Sequence, residues 1–180
     1  MNNKVLKLVG SAWGQRIMIF SLVMIVMALF APKFFLLSNI RSILLAVSIY
    51  GIMACGMLLV IVCGGIDLSI GSTAAMSGCI AAKTFVDHGY TPGGLVLGIV
   101  LALLFCVLLG LFHGIEVTYF RMPAFVMTLA TKYAVYGLVQ VYTGGAYVQP
   151  VYENDLFSII GQSRPLGIPT PIIIMAVCVA

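Results

Sequence analysis

The chain has 180 residues, of which 62% are hydrophobic and 8% charged, with a formal net charge of +4. Charged residues make up roughly 25% of an ordinary soluble domain, so this composition excludes a soluble domain and points to an integral membrane protein. Nine lysines and arginines spread along the chain form no dense basic stripe, so the expected partner is the lipid bilayer and no nucleic acid.

Crossing a bilayer takes about 20 mainly apolar residues, and several such runs occur here between short polar or Gly/Pro breaks. The first is Ile17 to Ala31, preceded by Lys4, Lys7 and Arg16. Its Ala-Leu-Phe-Ala ending resembles a signal-peptide cleavage site. Pro32 and the further runs behind it favour a retained transmembrane helix. The positive residues before it place the N-terminus in the cytoplasm.

Four more runs follow, Ile43 to Cys63, Leu68 to Phe85, Gly94 to Phe112 and Ala124 to Tyr142. A sixth starts near Pro169 and reaches only Ala180, so the chain is expected to stop inside a helix. The fold class is therefore all-α, a polytopic integral membrane helix bundle of about five complete spans plus a partial sixth, forming a single transmembrane domain over residues 1–180. This topology puts Lys4, Lys7, Arg16 and Arg121 inside and Lys33, Arg41, Lys83 and Arg164 outside. The basic residues tie, and orientation rests on the first helix. Thr143 to Pro169, with Glu153, Asp155 and Arg164, reads as an outward-facing connector.

Cys55, Cys63, Cys79, Cys106 and Cys178 lie in or beside apolar runs without metal-type spacing, so they read as small hydrophobes. Small residues recur four apart at Gly71, Ala75 and Cys79, at Ala74, Gly78 and Ala82, at Gly94 and Gly98, and at Gly110 and Gly114. Such spacing lets helix backbones approach closely and marks these as helix-packing positions.

The most informative stretch is Gly64-Gly65-Ile66-Asp67-Leu68-Ser69-Ile70-Gly71-Ser72. It sets a carboxylate between two apolar runs, where a charge costs on the order of 2.5–3.5 kcal/mol on insertion scales. Two compatible readings stand. In the first, Gly64 and Gly65 close the second span, and Asp67 caps the third by accepting from backbone N–H groups near Ser69 or Ile70. In the second, a helix broken inside the membrane frees backbone groups to meet a polar solute, with Ser69, Ser72 or Thr73 presenting hydroxyls.

Lys132 lies inside the fifth span, one turn after Thr128, with no carboxylate at helical spacing. It either snorkels or needs a partner from another helix, and it is a pathway candidate together with Thr128. His113 and Glu116 read as the solvated end of the fourth span and lack the His-Glu-x-x-His order of a zinc helix. No phosphate-binding Gly-x-x-x-x-Gly-Lys-Ser/Thr loop occurs, so any ATP-driven activity must borrow a partner. No catalytic residue, metal site or cofactor is expected.

The Gly64–Ser72 stretch closely resembles the signature of the ribose-type permease subunits of bacterial ABC sugar importers. Two further segments match that family in order. Met122-Pro123-Ala124-Phe125-Val126-Met127-Thr128-Leu129-Ala130-Thr131 is similar to its Pro-Ala-Phe-Ile-x-Thr-Leu segment, and Gly137 with Thr143-Gly144-Gly145 falls where it has Gly-Leu and a glycine turn. The resemblance runs from about Ser38 onward. The chain departs from the family at His113-Gly114, where an Asn-Gly-like pair is common, at Lys132, where an apolar residue is, and at Tyr136, frequently Arg.

The resemblance implies an all-helical permease in the bacterial inner membrane that moves a pentose or hexose and catalyses no covalent reaction. It implies as partners a second permease copy, a cytoplasmic ATP-binding subunit and a periplasmic sugar-binding protein. Family permeases are longer, so the chain is expected to be the N-terminal part of one. The competing readings are a secondary transporter or channel using Asp67 and Lys132, and a nonfunctional fragment or small structural subunit.

Overall fold

The computed structural model describes residues 11–31, 33–146, 148, 156, 161, 163 and 169–179. Six α-helices run through them: α1 Ala12–Phe30, α2 Leu37–Val62, α3 Ile70–Asp87, α4 Pro92–Thr118, α5 Ala124–Thr143 and α6 Thr170–Val179. No strand occurs among the described residues, and α1, α2, α4 and α5 are long and apolar enough to cross a membrane. The protein is an all-helical, multi-pass membrane protein. Most of the Thr143 to Pro169 connector, and with it Glu153, Asp155 and Arg164, lies outside the described residues, as do Lys4 and Lys7.

The chain divides into two compact units, Met1–Ala46 and Val47–Ala180. In the first, Ser11 caps α1 by accepting from the Gly14 N–H at 3.0 Å. The helix therefore starts five residues before the apolar run does. α2 starts at Leu37, six residues ahead of the expected Ile43. Its polar opening is absorbed locally: the Asn39 amide donates to the Phe34 carbonyl at 2.8 Å, and the Ser42 hydroxyl donates to the Ser38 carbonyl.

In the second unit α3 packs on both α4 and α5. Gly98 makes the α3–α4 approach possible, because a Cβ there would stand 2.7 Å from the Ala81 carbonyl oxygen. Met76, Ala82, Phe85, Leu95, Ala102 and Val135 form the buried apolar set, and the Tyr90 ring meets Phe85 edge-on at 5.5 Å. The 18 residues of α3 reach about 27 Å at 1.5 Å per residue. This helix is the least apolar of the long ones, and Ser72 and Thr84 are buried in it. Neighbouring helices shield those hydroxyls, and that of Ser72 donates to the Ser69 carbonyl, so the helix needs less lipid-facing hydrophobicity.

The helix ends follow a repeated pattern. α2 closes with a left-handed Gly64 (φ +80°), the Gly65 N–H bonding Val60 O at 3.0 Å and the Gly64 N–H bonding Ile61 O at 2.9 Å. These two bonds define a Schellman motif, in which glycine takes the left-handed position without a Cβ penalty. Gly89–Tyr90 after α3 and Gly144–Gly145 after α5 repeat it. α4 opens on Thr91-Pro92, the Thr91 hydroxyl accepting from the Gly94 N–H. At its other end it runs to Thr118, six residues beyond the expected Phe112.

Candidate functional site

Between Val62 and Ile70 the chain leaves one helix and enters the next within the described bundle, and α5 closes over this break. The expectation for Asp67 was a cap reaching Ser69 or Ile70. Its Oδ1 accepts from the Ser69 N–H at 2.7 Å and from the Ser69 hydroxyl at 2.6 Å. Ser69, 1% exposed and in the right-handed helical region, is the N-cap of α3, so Asp67, the expected N-cap, stands two residues ahead of it. An aspartate that accepts from the N–H two residues on is a local turn that also satisfies a first-turn donor of the helix.

The next hydroxyls close the first turn. Ser72 and Thr73 both donate to the Ser69 carbonyl, at 2.8 and 3.0 Å. Ser69 and Ser72 are thus buried and engaged within their own segment. Gly65 lies against α5, where an added Cβ would stand 3.6 Å from the Ala124 Cβ.

Thr128 joins two of the three stretches that carry the family resemblance. Its hydroxyl accepts from the Leu68 N–H at 3.1 Å and lies within donating distance of Ile66 O at 3.1 Å and Ala124 O at 2.8 Å. Residues some 60 positions apart are held at one oxygen. Sequence reading placed Thr128 among the pathway candidates, but no spacing rule could pair it with Ile66 and Leu68.

Lys132 is half-buried, with Nζ 5.8 Å from the Tyr133 ring centroid and no carboxylate within ion-pair distance among the described residues. It is not brought to Asp67. Of the expected packing glycines, Gly94 and Gly98 meet neighbours, His88 and Ala81 respectively. Gly71, Gly78, Gly110 and Gly114 have open space where a Cβ would stand, and Ala75 on the same helix is half-buried.

Two residues read as a solvated helix end are placed otherwise. α4 continues past Phe112, so His113 and Glu116 fall in its body, on the face that carries Leu95, Gly98 and Ala102. His113 Nε2 pairs with the Thr131 hydroxyl of α5 at 3.0 Å. Glu116 is only 7% exposed, and its Oε2 has no hydrogen-bond partner among the described residues. Helical spacing from Gly98 and Ala102 was the available signal: Glu116 follows Ala102 by 14 residues, close to four whole turns. The polar end of this unit is thus built from the 64–72 junction, the last turns of α4 and the first turns of α5.

A profile of the family described as "Branched-chain amino acid transport system / permease component" matches residues 39–180. The chain is 39% identical over 171 residues to the ribose import permease protein RbsC of Escherichia coli (strain K12), covering 92% of this chain and 52% of that protein. It is 38% identical over 154 residues to RbsC of Bacillus subtilis (strain 168), covering 86% and 47%. To the L-arabinose transport system permease protein AraH of Escherichia coli (strain K12) it is 33% identical over 171 residues, covering 94% and 50%. The chain spans about half the length of the curated relatives it matches. No solved structure matches it.

Proposed function

Because the chain belongs to the family of branched-chain amino acid transport system permease components, we propose that it is a membrane-spanning permease subunit of an ATP-binding-cassette importer for a monosaccharide of the ribose type. The observation that carries this reading is the identity of 39% to a ribose import permease over 92% of the chain. The arabinose permease at 33% supports the wider class of pentoses and hexoses. The packed junction adds a physical reason: two of the three family-like stretches are hydrogen-bonded to each other through Thr128.

The subunit works without making or breaking covalent bonds. It alternates between outward- and inward-open arrangements, and ATP binding by a cytoplasmic partner shifts the population between them. A periplasmic sugar-binding protein delivers the solute, a second permease copy completes the pathway, and the N-terminus lies in the cytoplasm of a cell whose inner membrane holds the assembly. The broken helix at Gly64–Ser72, with Thr128, lines or supports the pathway. Gly71, Gly78, Gly110 and Gly114, open in this chain, are offered as contacts to further helices or to the second copy. The secondary-transporter reading draws no support from the site, since Asp67 is engaged by Ser69 and Lys132 by the Tyr133 ring.

Co-purification from membranes with the ATP-binding subunit and binding protein encoded beside it, together with uptake of radiolabelled ribose and arabinose, tests the proposal. The expected result is recovery of the ATP-binding subunit and uptake that stops on ATP depletion. Uptake that survives ATP depletion and collapses with the proton gradient would overturn it.

A further inference from the structure

We propose that Thr128 is a positioning residue that makes α3 travel with α5 rather than with α2. It thereby sets where the 64–72 junction stands in each state of the transport cycle. The latch itself stands on geometry alone, while its role in transport rests on the permease reading above.

Three observations carry it. First, the covalent link between α2 and α3 is a poor lever. The Schellman end at Gly64–Gly65 breaks the helix, and the residues up to Ser69 run outside any helix. Glycine torsions reset at little cost, as hinge positions require. Second, α3 packs on α5 and on α4, and α2 has no comparable packing against it. Third, the Thr128 oxygen spans Asp67 from both sides, accepting from Leu68 N–H and reaching Ile66 O, each at 3.1 Å.

The hydroxyl carries one proton and has two main acceptors within reach, Ile66 O and Ala124 O. Donation therefore alternates between the junction and α5's own first turn, whereas the bond accepted from Leu68 N–H is compatible with both rotors. Thr128 is 4% exposed, so bulk water is not at hand to replace it, and removing the oxygen leaves a shielded N–H unpaired. A helical threonine sets its hydroxyl beside the carbonyl four residues back, and the 2.8 Å to Ala124 O ties the oxygen to α5.

The experiment compares the parent chain with T128V, which keeps the shape, and T128S, which keeps the oxygen, all in lipid nanodiscs. Amide exchange at Leu68 is read by NMR, and sugar uptake is read in cells. Loss of a shielded acceptor corresponds to roughly 5- to 150-fold faster exchange at Leu68, so that is expected for T128V, with a matching loss of maximal uptake rate and little change in KM. T128S is expected to restore both. Leu68 exchange unchanged in T128V, or equally fast in T128S, overturns the latch. Fast exchange with undiminished uptake in T128V overturns the positioning role. A parent that takes up no sugar counts against the permease reading, and Leu68 exchange then still decides the latch.

Discussion

α1 and α3 are nearly the same length, 19 and 18 residues, yet α1 buries none of its residues while α3 buries Ser72, Met76, Ala82, Thr84 and Phe85. From Ile17 on, α1 is apolar on nearly every side, its polar Gln15 and Arg16 lying near its start. α3 carries hydroxyls, glycines and the Lys83–Asp87 pair at 3.5 Å. The contrast reverses the rule for water-soluble domains, where the polar side faces out. In the bilayer, polar groups are tolerated where other helices cover them and give them partners.

The sharpest way to break that contrast is at the α3–α4 contact. Gly98→Val puts a Cβ 2.7 Å from the Ala81 carbonyl oxygen, which belongs to backbone and cannot swing aside. Overpacking of this kind typically costs about 1–3 kcal/mol, and the rigid partner places this variant at the upper end. Unfolding of the chain in mixed micelles should show it. A Gly98→Val variant as stable as the parent would mean that α3 and α4 do not meet there.

Glu116 offers the opposite sign. Its Oε2 is buried without a partner among the described residues, and an unsatisfied buried group costs about 1–3 kcal/mol. Glu116→Leu should therefore stabilise the fold by an amount in that range, measured in the same micelles. A loss of stability would show that the carboxylate has a partner in the intact membrane.

Smaller effects belong to the junction. Asp67→Leu removes the acceptor for Ser69 and should cost about 1 kcal/mol, while Asp67→Asn keeps a capping oxygen and should cost a few tenths. If Asn is as damaging as Leu, the charge rather than the hydrogen bond holds the turn. The smallest effect is expected in α1, where Leu22 is 60% exposed. Leu22→Ala should leave the packing stability of the described helices within about 0.5 kcal/mol. A larger loss would mean that this face of α1 is covered.

The helices were legible because apolar runs and glycine–proline punctuation are local properties of the chain. Their ends were less so. Ser11 and Thr91-Pro92 are readable cap signals lying just outside the apolar runs, and Ser38, Asn39 and Ser42 look like loop residues while bonding within the first turns of α2. Asp67 was legible as a capping group because the Asp-x-Ser spacing is itself a local hydrogen bond. The bonds of Thr128, a residue already singled out, were not, since they depend on a contact across 60 residues, and the burial of Glu116 was signalled only indirectly, by its helical spacing from Gly98 and Ala102. The pairing of Thr128 with Ile66 and Leu68 follows from tertiary packing, which no window along the chain contains.

The packing of α3 also bears on how the chain is made. A segment with this many hydroxyls and two charges gains little by partitioning into lipid alone, whereas α4 is strongly apolar over 27 residues. The connection of His88 to Thr91, folded on itself by bonds to Thr84, Phe85 and Val86, holds the two helices as a hairpin. Insertion of α3 is therefore expected to be cooperative with that of α4.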